Sequence, residues 1–139
     1  SSKLSVTGGV SVGNTAVASA TTLDWYEEAT ATLTATGMTT SPTGVARFTR
    51  IGNVVTVEIP AITGTSNATT FTLTGVPTNF RPSSARVALT TVRDNGVWAV
   101  GQAQFEANGA IVLYKEVGNA VFTNTGTKGV SINTLSYHI

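Results

Sequence analysis

The chain has 139 residues, with 8 Lys and Arg against 7 Asp and Glu, a formal charge of +1, one His and no Cys. That length suits a single domain, and the near-neutral balance excludes the long-range field that draws proteins to nucleic acid or to an anionic membrane surface. The lack of Cys excludes disulfides, thiolate zinc sites and cysteine nucleophiles, and a lone His leaves any His-pair or His-Asp catalytic arrangement in need of a second subunit.

Only 11% of residues are charged, so Thr, Ser, Asn and Gln solvate the surface; Thr alone is about a fifth of the chain, a bias of strand-rich proteins. Such a surface suits neutral sugars or other subunits. No run approaches the 18 or so consecutive apolar residues of a membrane span, so no membrane insertion is expected. Ser1 to Leu4 lacks a signal-peptide core and reads as the cut edge of a longer chain.

Residues 1–22 are small, Gly- and Thr-rich and almost uncharged, with alternations at Leu4-Val6 and Val10-Val12. They read as an extended stem that needs other chains to bury it, or equally as a flexible linker. Asp24 to Glu28 brings the first large aromatics and three acids. A turn capped by Asp24 is expected here, with Trp25 or Tyr26 anchoring the lead-in. Successive acids point in different directions, so no metal cage follows from them.

Residues 23–139 read as strands separated by turns. Thr30 to Thr36 alternates, and Ala46 to Ile59 is a hairpin whose register its residues select. A two-residue Gly52-Asn53 turn pairs Ile51 with Val54, Thr49 with Thr56, Phe48 with Val57 and Arg47 with Glu58. A slip of one residue buries Glu58 against Phe48, so the apolar face of Ala46, Phe48, Val55, Val57 and Ile59 admits one register. Pro60 to Ala68 reads as a polar loop, Thr70 to Thr74 as a short strand, and Phe80 as a plug at one end of the core.

A second hairpin follows. Arg93-Asp94-Asn95-Gly96 fits a type I turn with a G1 bulge, pairing Arg93 with Val97, Leu89 with Gly101 and Val87 with Ala103. Glu106 to Gly109 repeats that turn and pairs Phe105 with Ile111 and Ala103 with Leu113. Gly118-Asn119 and Gly126 to Gly129 mark further turns, and Val130 to His138 is a final strand. No helical periodicity is sustained. Roughly eight strands with regular turn signals indicate an all-β fold, an antiparallel β-sandwich of jelly-roll type.

Leu23 to Thr30, Phe48 to Val57 and Leu73-Thr74-Gly75-Val76-Pro77 together resemble a pattern near the C-termini of bacteriophage tail fibres and tailspikes. Ala29 stands where that pattern has Gly, and Ala31-Thr32-Leu33 lacks its aromatic and proline. The resemblance implies a homotrimeric, carboxy-terminal β-sandwich after a stem, in the virion tail, meeting host surface polysaccharide or lipopolysaccharide. Trp25, Tyr26, Val12 and His138 are then the candidates for the trimer interface.

Trp98 is the residue singled out for binding. In the expected register it lies opposite the core face and across from Val92, where it either stacks on a sugar ring, with Arg93, Asp94 and Asn95 hydrogen-bonding hydroxyls, or forms a second buried layer. Gln102 and Tyr114 share its face. His138 either caps a trimer axis or is a surface residue. The acids define no carboxylate pair at glycosidase spacing, and no Gly-rich loop carries a phosphate fingerprint. The expectation is a non-enzymatic module with no cofactor and no metal site, binding saccharide or else serving only as a trimerisation and folding cap.

Overall fold

The computed structural model describes residues 7–8 and 25–139, so the stem expected over 1–22 and the interface candidate Val12 lie outside the described residues. Among the described residues the chain is all-β, with ten antiparallel strands: β1 Tyr26–Thr36, β2 Thr43–Ile51, β3 Val54–Ile59, β4 Ile62–Thr65, β5 Thr72–Thr74, β6 Arg86–Asp94, β7 Val97–Phe105, β8 Ala110–Tyr114, β9 Thr127–Val130 and β10 Asn133–His138. Their order in the sheet is β10-β3-β2-β1-β5-β8-β7-β6-β9-β4. No helix there is long and apolar enough to cross a membrane.

The first hairpin has the expected register from Arg47–Glu58 to Ile51–Val54. Ala46, Phe48, Val55, Val57 and Ile59 are all buried, because this register puts these five on one face and keeps Glu58 off it, while Val45, Ile51 and Val54 stay exposed on the other. The sheet then curls over itself as a sandwich. Phe105 of β7 stacks on Tyr137 of β10 at 4.2 Å, Phe48 meets Phe80 at 5.3 Å, and Phe71 meets Phe122 at 5.4 Å. Phe80 does plug one end of the core, from a single 3-10 turn over Thr78–Phe80. The Tyr137 hydroxyl donates to its carbonyl at 2.6 Å.

Several local expectations need correction. Glu27 and Glu28 sit within β1 rather than in a turn, because Tyr26 already pairs with Ile51. Pro60 to Ala68 is not simply a loop: β4 pairs there with β9. Gly126 to Gly129 is mostly strand, and the final strand is the shorter β10.

The reason that β9 escapes sequence reading is Lys128. Its side chain is fully buried, and its ammonium donates to the carbonyls of Gly37 at 2.9 Å, Ala68 at 2.6 Å and Thr70 at 2.8 Å. Three donors thus meet three acceptors, which is what makes a buried ammonium tolerable. Burial still pushes its pKa down, while the charge of Asp94 partly opposes the shift. Gly37, at φ +84°, fits here because a Cβ on it would fall 2.0 Å from the Thr70 carbonyl oxygen.

The strands define two poles. At one, Gly52 N–H donates to the Trp25 carbonyl, Ile139 N–H to that of Asn53, and Arg86 Nε to that of His138. At the other, Gly96 N–H donates to the Thr127 carbonyl, Ser66 N–H to that of Gly126, and Thr39 N–H to that of Thr65. The nine residues of β6 run between them, a span of roughly 30 Å.

Replacing Lys128 by Met strips three inward carbonyls of their donor and is expected to cost about 3 kcal/mol, the desolvation relief offsetting only part of the lost bonds. A urea midpoint equal to that of the wild type would show that the cage is dispensable. Tyr137→Phe tests a second buried group. Burial pushes this hydroxyl well above its ordinary value of 10.0, so above that pH the unfolded chain releases a proton that the folded chain keeps. The contribution of Tyr137 is therefore present below that value and lost as pH rises. The variant is expected to be less stable at neutral pH by about 1 kcal/mol, with the gap closing in alkali; parallel urea curves at all pH values would contradict this.

Candidate functional site

The β6–β7 hairpin carries most of the side chains chosen from sequence, and its turn decides where they point. Asn95 and Gly96 both take left-handed backbone, at φ +46° and +85°. That is a two-residue type I′ turn, whose twist matches that of the strands it joins. The expected bulged turn is therefore corrected: Asp94 faces Val97, Arg93 faces Trp98, Thr91 faces Val100 and Leu89 faces Gln102. A one-residue change turns the whole of β6 over. Val87 and Leu89, expected in the core, are 55% and 56% exposed, whereas Val92 is buried opposite Val130 of β9. The face of β7 is as expected, since its pairs with β8, Ala103–Leu113 and Phe105–Ile111, form as anticipated.

Trp98 thus lies on the outer face, 44% exposed. Its cross-strand neighbour is Arg93 rather than Val92. The guanidinium carbon sits 5.6 Å from the indole centroid, and Arg93 Nε donates to the Gly96 carbonyl at 3.1 Å. Val100, Leu89 and Val87 continue this apolar surface toward the Trp25 pole.

Asp94 and Asn95 belong to the other side of the tip. They line an open groove of about 300 Å³ with Val97, Ala99, Lys115, Glu116 and Thr123. Asp94 is already occupied: one oxygen accepts from Thr123 N–H at 2.8 Å, the other from the Thr123 hydroxyl at 2.9 Å, and Lys115 Nζ lies 3.5 Å away. Gln102 is buried and donates to the Asn119 side-chain oxygen at 2.7 Å, holding the loop that forms one wall of this region. Tyr114 is half-buried opposite it. The six residues singled out for binding are therefore divided. Arg93 and Trp98 face outward together, Asp94 and Asn95 line the groove, and Gln102 and Tyr114 serve the scaffold between β7 and β8.

The other candidates gather at the Trp25 pole. Tyr26, Ile51, Val54 and His138 form one cross-strand row over β1, β2, β3 and β10. All four are exposed, and Glu28 accepts the Tyr26 hydroxyl proton at 2.7 Å, which pushes the phenol pKa up. Trp25 points away from this row and packs under Arg50, whose guanidinium carbon is 4.2 Å from the ring centroid. Arg50 is tied in turn to the carbonyls of Gly52 and Asn79, so Trp25 is fixed against the body at this pole. A larger open groove, of about 410 Å³, runs beside the row over Glu28, Thr30, Arg47 and Thr49. Arg47 there lies 4.0 Å from Glu58 and Glu28 accepts from Tyr26, and the groove is a trough in a sheet face rather than a built site.

Sequence reasoning passed over Lys128, Thr123 and Asn119, which set the shape of the Asn95 pole. No local pattern marks them, since their partners lie 17 to 91 residues away along the chain. Among the described residues no three His, Asp or Glu side chains are grouped so as to hold a metal ion.

No protein family and no curated protein matches the sequence. Among solved structures the chain is distantly similar to the reovirus attachment protein sigma1, whose crystal structure is in complex with alpha-2,3-sialyllactose. The likeness has 14% sequence identity and a TM-score of 0.41, and covers 80% of this chain and 66% of that one.

Proposed function

We propose that the chain is the distal module of a homotrimeric viral attachment protein of the tail-fibre or tailspike kind, located in the virion tail, and that the tip of the β6–β7 hairpin binds host surface polysaccharide or lipopolysaccharide without cleaving it. The observation that carries this reading is Trp98. A large aromatic on a well-ordered strand is usually buried, yet this one is 44% exposed, flanked by a guanidinium and by exposed Val100. An indole face with polar groups at its rim is suited to the C–H face of a pyranose.

Position supports the same reading. Trp25, at the start of the described body, lies at one pole, and the hairpin tip lies at the other, at the far end of β6. The tail setting rests on the resemblance over Leu23 to Pro77. A role without catalysis is supported by four of the seven acids: Asp94 is held by Thr123 and Lys115, Glu27 by Asn79, Glu28 by Tyr26, and Glu58 lies by Arg47.

Surface plasmon resonance against host polysaccharide tests the site. Trp98→Ala is expected to weaken binding by at least about tenfold, the loss typical of a stacking anchor, with the melting temperature unchanged; equal affinity would remove the tip from the function.

A second reading, a trimerisation and folding cap with no ligand of its own, is favoured by the exposed row of Tyr26, Ile51, Val54 and His138. Light scattering separates the contributions. Ile51→Asp is expected to reduce a trimer mass to that of the monomer, and a monomeric wild type would withdraw the trimer from both readings. A trimer that binds no host polysaccharide leaves the cap as the function.

A further inference from the structure

The outer face of the hairpin tip also indicates what kind of saccharide it takes. We infer that the ligand carries a carboxylate, as a uronic or other acidic sugar residue does, and that Arg93 is the residue that reads it. The inference rests on the saccharide-binding role of the tip and goes beyond it to the chemical class of the ligand.

Arg93 is placed for recognition rather than for stability. Its Nε is fixed by the bond to the Gly96 carbonyl at 3.1 Å, which orients the guanidinium plane over the turn. The two terminal nitrogens meet no acceptor among the described residues, and the side chain joins neither of the ion pairs found there. Four N–H donors therefore remain in the planar fork that matches a carboxylate in two parallel bonds.

The nearest acid in sequence does not cancel this charge. Asp94 has its partner Val97 on the opposite side of the hairpin, and its two oxygens are occupied by Thr123. Around Arg93 the outward positions are Thr91 and Leu89 on its own strand, Trp98 and Val100 on β7 and Gly129 on β9, none of them acidic. An incoming carboxylate thus meets one cation and no repelling charge, on an apolar surface where the ion pair is less screened than in open water.

The guanidinium carbon lies over the indole, 5.6 Å from its centroid, so the two groups form one continuous surface. A pyranose set against the part of the indole that stays exposed therefore lies beside the fork, with its ring carboxylate in reach. The indole recognises the ring and Arg93 its charge.

The test uses a panel of uronate-bearing bacterial capsular polysaccharides and the same polymers after chemical reduction of their carboxyl groups to alcohols. Binding is measured by surface plasmon resonance at low and physiological salt. The wild type is expected to bind at least one acidic polymer about tenfold or more tightly than its reduced form, with a preference that shrinks as salt is added. Arg93→Gln is expected to bring that ratio close to one, and Arg93→Lys to keep part of the preference. Equal binding of acidic and reduced polymers by the wild type, or an unchanged preference in Arg93→Gln, overturns the role of Arg93 and leaves saccharide binding standing. Binding of neither form overturns both. Thermal melts of the variants close to that of the wild type show that any loss is one of recognition.

Discussion

A single buried ammonium sets the geometry on which the rest of this structure depends. Lys128 can be inside only where its three donors find three carbonyls, and these come from the end of β1 and the segment leading into β5. With Lys128 turned inward, Val130, two residues on, is inward as well. Val130 pairs with Val92, which settles the inward face of β6. Arg93 and Trp98 are then outward. The surface at the tip of the hairpin is thus decided by a charge on another strand, and a cost of desolvation is converted into the orientation of an edge of the sheet.

The same architecture divides its apolar and polar contacts between two ends. Large apolar contacts, such as Phe105 on Tyr137 and Phe48 on Phe80, hold the middle of the sandwich and the Trp25 pole. At the Asn95 pole, polar bonds organise the surface instead: Asp94 with Thr123, Gln102 with Asn119, Arg93 with Gly96. A rigid sheet that presents short, hydrogen-bonded loops at one end is a common arrangement for binding, because the scaffold bears the entropy cost of ordering the site before a ligand arrives.

The two hairpins show why one register was legible and the other was not. In β2–β3 the apolar residues from Ala46 to Ile59 concentrate on one parity, with only Ile51 and Val54 beside the turn on the other, and a slip buries Glu58; burial and turn chemistry agree. In β6 the sequence Val87-Ala88-Leu89-Thr90-Thr91-Val92 offers apolar or small residues at both parities, so either face can be buried at similar cost. Asp94-Asn95-Gly96 likewise serves a bulged type I turn or a two-residue type I′ turn. The choice was made by β9, through Val130. That strand was read as a turn because Gly126 and Gly129 flank a lysine, a residue expected outside.

What the sequence by itself determined is the all-β class, the first hairpin and the β7–β8 pairing, because each follows from alternation and turn residues within a few positions of one another. Only the tertiary structure decided that Trp98 faces Arg93 rather than Val92, that Asp94 and Gln102 are spent on the scaffold, that Tyr26 and His138 share one row, and that Lys128 is buried. Each rests on contacts between residues distant along the chain, the first through Val92 and Val130. Their energies depend on which donors and acceptors the folded sheet brings together, and no local pattern records that.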